Sequence, residues 1–455
     1  MDAVNGSGPA APREGTGANS ESPHPKDTAA RRRAPARRAG PAPRRNGATL
    51  QRSRREDGTT PEQQREEAWE ACKDLARQPC ILDCLVNELQ VLGVVGEWRA
   101  AKLIYMVLTS RLLDKPISAA IKGPSSVGKS YLADKVLSFF PASAAYRLSG
   151  MSERALAYSE EPLKHRTIVV AEAAGLAGGV GAYFMRSLIS EGQLRYMTVE
   201  SGPGGLKPRV IEREGPTNLL VTTTALHLDN EMETRLLSIP VDDSRGQTKA
   251  IMRAHAKRHG SAGPVTDPDL SPWVALQTWL ELSERRVVIP YADKLVEAIP
   301  PVALRLRRDV SVIFGMIEAH AILHQETRER DAQGRIIATM DDYAVVRELT
   351  GDLMATAAGL TVPGTVRETV DTVRSLAKKL PCGVPLRLVA DAMELDKSTA
   401  SRRVKKAIDM GFLRNQEPRQ GRPARIVLGE PLPPDIQVLP PPDVLQCCSV
   451  SGGEG

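Results

Sequence analysis

The stretch from Lys122 to Lys135, KGPSSVGKSYLADK, constrains this chain more than any other. Apolar residues precede it, and residues at helical spacing follow it. It contains the pattern G-x-x-x-x-G-K-[ST] in the strand–loop–helix context of a phosphate-binding loop. Glycines let backbone N–H groups curl round a polyphosphate, and the start of the helix adds partial positive charge. The predicted nucleotide-binding residues are Gly123, Pro124, Ser125, Ser126, Val127, Gly128, Lys129 and Ser130.

Two residues of this loop have distinct expected roles. Lys129 is expected to reach the β- and γ-phosphates, and the Ser130 hydroxyl is expected to ligate Mg²⁺. The pattern therefore predicts binding of ATP and Mg²⁺.

After the loop and its helix, short apolar strands alternate with helical segments, with strands predicted at 166–172, 219–224 and 236–241. This alternation predicts an α/β fold of three layers, in which a parallel sheet is covered by helices on both faces. We place the nucleotide-binding core at 94–245, after a helical lead-in at 61–93. A mostly helical lid or linker is expected at 246–350.

The predicted strand 166–172 ends in Ala171-Glu172, where hydrolysis needs a carboxylate that polarises water or helps to hold Mg²⁺. We predict Glu172 as this base, with Glu160 or Glu161 as the next candidates. The following buried strand ends in threonines. Thr223 and Thr224 are predicted to bring a hydroxyl near the γ-phosphate.

Arg235 directly precedes the last core strand, the place of an arginine finger that reaches a neighbouring subunit's γ-phosphate. A surface ion pair with Glu231 is the alternative. Residues 196–212 lie between the predicted strand 166–172 and the strand that ends at Thr224. Their pattern predicts a hairpin of two strands with a Gly/Pro-rich tip. Lys207 and Arg209 in this hairpin are predicted to contact DNA.

Taken together, the loop, Glu172, the threonines and Arg235 resemble the AAA+ superfamily over about residues 90–310. The likeness is to minichromosome-maintenance-like helicases and the helicase-primase ATPases of mobile elements. It implies a homo-oligomeric ring, a hairpin that pushes on a DNA strand, and Arg307 as a second sensor. Two departures are Ala171, in place of the usual Asp, and the lack of a zinc-binding N-terminal domain.

Residues 362–430 predict a separate winged helix-turn-helix, whose second helix would enter the DNA major groove. From Cys382 to Leu428 there are 10 Lys/Arg against 5 Asp/Glu. A protein-contact role is the alternative, because the fold alone does not define the ligand. The predicted DNA-contacting residues are Ser398, Ser401, Arg402 and Lys405 on the helix, and Arg419 and Arg422 on the wing.

The net charge of +6 lies entirely in residues 1–60, which hold 12 Lys/Arg against 6 Asp/Glu (12 − 6 = +6). This segment is too poor in apolar residues to fold, so we predict a disordered basic tail. It either contacts a polyanion such as nucleic acid or is simply a solvated charge run. A flexible tail is also expected at 431–455.

Nothing resembles a signal peptide, and no run of 18 apolar residues occurs. We therefore expect a cytoplasmic protein without a membrane partner. The leading hypothesis is a DNA-binding ATPase that acts as a helicase or translocase in replication of a mobile element. The rival is an ATP-switched DNA-binding regulator or replication initiator that does not translocate. A small-molecule kinase is a distant third hypothesis, since it would need neither a finger nor a winged helix.

Overall fold

The structure is a computed structural model. It describes residues 60–172, 179–202, 205–224, 230–260, 267–301, 303, 305–358, 362–417, 419, 422–433 and 438–446. Residues 1–59 of the predicted basic tail (1–60) and the hairpin tip at 203–204 lie outside the described residues.

The strands, in chain order, are β1 Ser118–Lys122, β2 Ala145–Leu148, β3 Arg166–Val170, β4 Gln193–Gly202, β5 Gly205–Glu214, β6 Thr217–Thr223, β7 Leu236–Pro240, β8 Val287–Val288, β9 Ile336–Ile337, β10 Leu413–Asn415 and β11 Ile426–Leu428. The helices are α1 Pro61–Ala76, α2 Ile81–Val91, α3 Trp98–Thr109, α4 Lys129–Leu137, α5 Ala155–Tyr158, α6 Gly179–Glu191, α7 Asn230–Glu233, α8 Arg245–Gly260, α9 Ser271–Glu281, α10 Ala292–Ala298, α11 Leu306–Leu323, α12 Met340–Ala357, α13 Gly364–Ala377, α14 Leu386–Ala392, α15 Lys397–Asp409 and α16 Pro442–Gln446.

Five of the described strands form one parallel sheet in the order β2-β3-β6-β1-β7. The sheet is buried on both faces: in β1, Ala119 and Ile121 join one apolar cluster and Ala120 joins the other. Side chains of a strand alternate between the two faces, so a doubly covered strand must be apolar throughout. The prediction of an α/β fold with a parallel sheet is confirmed.

The hairpin β4–β5 is a separate antiparallel ribbon between α6 and β6. Its register runs from Gln193 opposite Glu214 to Gly202 opposite Gly205, so the strands are longer than the sequence predicted. The ribbon begins and ends at the amino ends of the parallel strands, where Thr217 starts β6 opposite Arg166 in β3. We call this side of the sheet the amino edge and the opposite side the carboxyl edge.

Three helices and a short antiparallel pair make up the C-terminal unit. Helices α13, α14 and α15 are followed by β10, which pairs with β11. A small apolar core joins these elements, with Val366, Val370, Val389, Val404 and Leu413 all buried in it.

The flexible tail predicted from residue 431 is wrong for residues 438–446. Val438, Leu439 and Leu445 are buried against the main apolar cluster. The Tyr343 hydroxyl donates to the Pro440 carbonyl at 2.6 Å. These apolar side chains lie among prolines, and their burial on α12 holds the segment in place. Among the helices of the described residues, none combines the length and the apolar character needed to span a membrane.

Candidate functional site

The loop 123–128 joins β1 to α4 at the carboxyl edge, and its backbone explains its glycines. Ser126 (φ 65°) and Gly128 (φ 93°) both adopt the left-handed region. At Gly123 a Cβ would lie 2.4 Å from Val241 Cγ2, which leaves no room for a side chain. Left-handed residues within such a loop turn successive N–H groups toward one centre, a geometry that binds anions.

The start of α4 points into the same loop. Gly128 caps the helix without any side-chain hydrogen bond, and the first intrahelical bond runs from Leu132 N to Gly128 O at 2.9 Å. The N–H groups of Lys129, Ser130 and Tyr131 therefore have no partner within the helix. Together with the helix dipole they favour a negatively charged group.

Lys129 is buried at this point, with 8 % of its surface exposed. Its Nζ donates to the carbonyls of Gly123 at 2.9 Å and Pro124 at 2.7 Å. Within the described residues no carboxylate lies within 4.0 Å of that nitrogen. Burial lowers the pKa of Lys129, and the charge of Glu172 acts in the opposite direction. A buried ammonium without a carboxylate in direct contact is costly, and a bound anion would offset that cost.

A cleft of about 340 Å³ opens over the loop. Its size is near the lower end of small-molecule sites. It is lined by Ser125, Ser126, Gly128, Lys129, Ser130, Tyr131, Ala171, Glu172, Thr222, Thr223 and Thr224. The cleft thus gathers the loop and the ends of β3 and β6, although these segments are far apart in the sequence.

Glu172 is the only carboxylate that lines this cleft in the described part of the chain. The Thr222 hydroxyl donates to the Ala171 carbonyl and so ties the end of β3 to β6. Of the two predicted threonines, Thr223 is buried and Thr224 is exposed at the rim of the cleft. Glu160 and Glu161, the other candidate bases, precede the start of β3 and lie at the amino edge instead.

The cleft offers oxygen ligands that suit Mg²⁺. The Ser130 hydroxyl and the Glu172 carboxylate both line it. In the described ranges no group of three or more His, Cys, Asp or Glu side chains could hold a metal on its own. Mg²⁺ commonly binds through one or two protein ligands together with substrate phosphates. These two side chains fit such a mode.

Tyr131 lines the cleft and was missed by the sequence reasoning. Its ring is 46 % exposed, and its hydroxyl donates to the Leu92 carbonyl at 3.3 Å. The motif says nothing about the residue after Ser130. The exposed aromatic could therefore be found only once the turn after α2 was seen to pack beside α4.

Arg235 and Arg307 do not reach this cleft. Arg235 precedes β7, whose Leu236 lies opposite Ser118 at the start of β1. It is therefore at the amino edge, roughly 16 Å along the strands from the loop. Arg307 lies in the first turn of α11, beside Arg308, which donates to the Thr234 hydroxyl at 2.6 Å.

The contacts of Arg235 are hydrogen bonds, not the surface ion pair with Glu231 that was the alternative prediction. Its Nε donates to Ser190 Oγ at 2.8 Å, and its Nη1 donates to the Glu231 carbonyl. The Glu231 carboxylate pairs with Arg186 at 3.2 Å. Arg235 thus contacts the backbone of Glu231, while another arginine takes the carboxylate.

The two predicted DNA-contacting residues of the hairpin have different surroundings. Arg209 pairs with Glu200 at 3.1 Å across the strands. Lys207 is exposed and, within the described residues, has no carboxylate partner. The hairpin therefore offers less unpaired positive charge than the sequence predicted.

Helix α15 has two distinct faces. The predicted residues Ser398, Ser401, Arg402 and Lys405 are all exposed on one face. On the other face Arg403 is buried between Asp243 at 2.6 Å and Glu368 at 2.8 Å.

Two further observations locate the C-terminal unit and the loop between its strands β10 and β11. Arg245 donates to the Leu395 carbonyl at 2.6 Å, so the C-terminal unit docks beside the carboxyl end of β7. Arg419 and Arg422, between β10 and β11, are exposed.

A scan against protein-family models finds no match to this chain. A search of curated proteins finds no match either.

Proposed function

We propose that this protein is an ATP-hydrolysing, DNA-binding protein that acts as an assembly of several copies. One observation carries the proposal. Among the residues that the structure describes, the Lys129 ammonium is buried without a carboxylate within 4.0 Å, at the unsatisfied start of a helix, in a cleft that also contains Glu172. A triphosphate would supply the missing negative charge, and Glu172 would accept the proton of the attacking water.

The proposed role of each group in the cleft follows from its chemistry. The loop N–H groups and Lys129 bind and orient the phosphates. Ser130 supplies the main protein oxygen ligand for Mg²⁺, Glu172 acts as the base, and Thr223 or Thr224 donates a hydrogen bond near the terminal phosphate. Mg²⁺, when bound, would neutralise charge that develops during phosphoryl transfer. The parallel sheet supports the likeness to AAA+ proteins, because its carboxyl edge is where such folds bind ligands.

DNA binding is assigned to the C-terminal unit, as a winged helix-turn-helix. Its support is the exposed row Ser398, Ser401, Arg402 and Lys405, on a helix whose opposite face is fastened to the core through Arg403. A helix held in this way can present one face to the major groove. A protein partner of the same unit is the alternative.

Two uses of ATP are open to such a protein. A helicase or translocase is the first, with the β4–β5 hairpin as the element that moves DNA. The second is a switch that binds DNA in response to ATP without translocation, as a regulator or initiator does. The Arg209–Glu200 pair favours the second, because a hairpin that pushes on DNA needs unpaired cations.

The nucleotide assignment is tested by Lys129→Ala. We expect ATP affinity to fall at least about 100-fold in a calorimetric titration, since the charge-assisted bonds to phosphate are lost. Lys164→Ala is the control, because this exposed lysine precedes β3 at the amino edge. Affinity within about twofold of the wild type in the Lys129 variant would reject the assignment.

A further inference from the structure

The β4–β5 hairpin exposes an unusual amount of apolar surface. Met197 is 70 % exposed, Val199 59 %, Leu206 76 % and Val210 52 %. Soluble proteins scatter single apolar residues over their surface, but a contiguous group usually marks a contact site.

The register places these four side chains on one face. Met197 lies opposite Val210, Val199 opposite Pro208, and Ser201 opposite Leu206. Cross-strand partners point the same way, and alternate pairs share a face. We call the six residues of these three pairs the apolar ribbon face.

The opposite face of the ribbon has a different environment. Near the root, Tyr196 and Ile211 pack against the second apolar cluster, and the Tyr196 and Phe184 rings are 4.7 Å apart. Toward the tip, the same face carries Lys207 and the Arg209–Glu200 pair. The ribbon is therefore held by one face, while the apolar ribbon face points away from the body.

DNA does not fit the apolar ribbon face. It carries neither a cation for phosphates nor an aromatic ring on which a base could stack. The chain's own undescribed termini do not fit it either. Residues 1–59 contain Met1, Val4 and Leu50 as their large apolar side chains, and residues 447–455 contain Val450.

The position and size of the face point to a second copy of the chain. The ribbon's root follows Ser190, which accepts a hydrogen bond from Arg235 at 2.8 Å. The face therefore belongs to a ribbon that starts at the amino edge, beside Arg235, and the ion pair of Arg195 with Glu212 at 2.8 Å separates the two on the same side of the ribbon. A patch of this kind covers a few hundred Å², whereas a stable interface buries about 800 Å² per partner. The apolar ribbon face is therefore large enough to form part of an interface, but not a whole one.

We propose that the apolar ribbon face is a self-association surface that packs against a second copy of this chain. The inference rests on the proposed function only in that both expect several copies to assemble, and self-association is measurable without ATP. Removing apolar area from this face will therefore weaken the assembly, whatever the cleft binds.

The test is sedimentation velocity on the full chain without nucleotide, over a concentration series. Met197→Thr with Val210→Thr keeps strand-compatible side chains while removing apolar area. We expect the dissociation constant for self-association to rise at least about tenfold. Glu200→Gln, on the opposite face of the same ribbon, is the control and is expected to associate like the wild type. Circular dichroism and thermal unfolding verify that each variant is folded.

Three outcomes would overturn the proposal. They are a wild-type chain that stays monomeric at every concentration, a folded double variant that associates as well as the wild type, and a double variant that loses DNA affinity but not association. Repeating the series in the Lys129→Ala chain separates the two proposals. Lost nucleotide binding with intact self-association would leave this one standing.

Discussion

The two edges of the central sheet are organised in opposite ways. At the carboxyl edge, Lys129, Ser130, Glu172 and Thr224 come from three segments and face one cleft. At the amino edge, Arg235 donates to Ser190 near the end of α6, just before the β4–β5 ribbon, and it does not line that cleft. Under the proposed function, the first edge would bind the nucleotide, whereas the second would offer Arg235 to a second chain. Binding would then involve one chain, and hydrolysis would need two.

Arg235→Ala is the strongest test of this difference. We expect ATP affinity to be kept while turnover falls about 10³-fold, the size of effect of a lost arginine finger. Arg235 lies at the edge remote from its own cleft, so a mixture with Lys129→Ala should regain part of the turnover. One chain would then supply the cleft and the other the arginine.

Steady-state ATPase assays of each variant and of the mixture measure this effect. Arg147→Ala is the control, since this exposed arginine on β2 pairs with Asp134. If co-assembly is demonstrated and the mixture stays inactive, Arg235 does not act across chains and the contrast between the edges fails.

Glu172→Gln probes the carboxyl edge alone. The amide is isosteric but cannot accept a proton, so we expect retained ATP affinity and a loss of turnover of about 10²-fold or more. Glu161→Gln is a matched control at the amino edge, where Glu161 pairs with Arg166 at 3.0 Å. Single-turnover hydrolysis measures both. Equal losses in the two variants would remove the catalytic distinction between the edges.

The smallest effects concern which edge contacts DNA. Helix α15 docks near the carboxyl end of β7, whereas Lys207 lies on the amino-edge ribbon. Arg402→Ala with Lys405→Ala should lower the slope of log affinity against log salt by about 2, and Lys207→Ala by at most about 1.

Duplex binding at several salt concentrations gives these slopes. Arg374→Ala with Lys378→Ala removes the same charge from an exposed part of α13 and should leave the slope unchanged. A larger change with Lys207→Ala than with the α15 pair would move DNA recognition to the ribbon.

Much of the candidate cleft could be predicted because its signals are local. The loop's glycines, its lysine and the apolar strand before it lie within a dozen residues. Each is required by the sterics or the electrostatics of the loop itself. Glu172 and the threonines could also be placed, because a parallel sheet puts the carboxyl ends of its strands at one edge. Tyr131 could not, since its place depends on a contact with Leu92 from another helix.

The ribbon shows where local signals mislead. Lys207 and Arg209 are both cations in the sequence. The register places Glu200 opposite Lys207, but the side-chain contacts show that Glu200 pairs with Arg209 instead. The same register turns scattered apolar residues into a single face. A strand's two faces alternate residue by residue, so pairing decides which side chains act together.

The sequence by itself determined the parallel α/β core, the loop at 123–128 and the exposed cationic row on α15, because periodicity and backbone sterics act within one element. Only the tertiary structure decided that Arg235 contacts Ser190 and the Glu231 carbonyl, and that Arg403 fastens α15 to Asp243. It also decided that the end of the chain packs on α12. These facts depend on which distant residues approach each other, and that is settled by the burial of whole elements rather than by any short pattern.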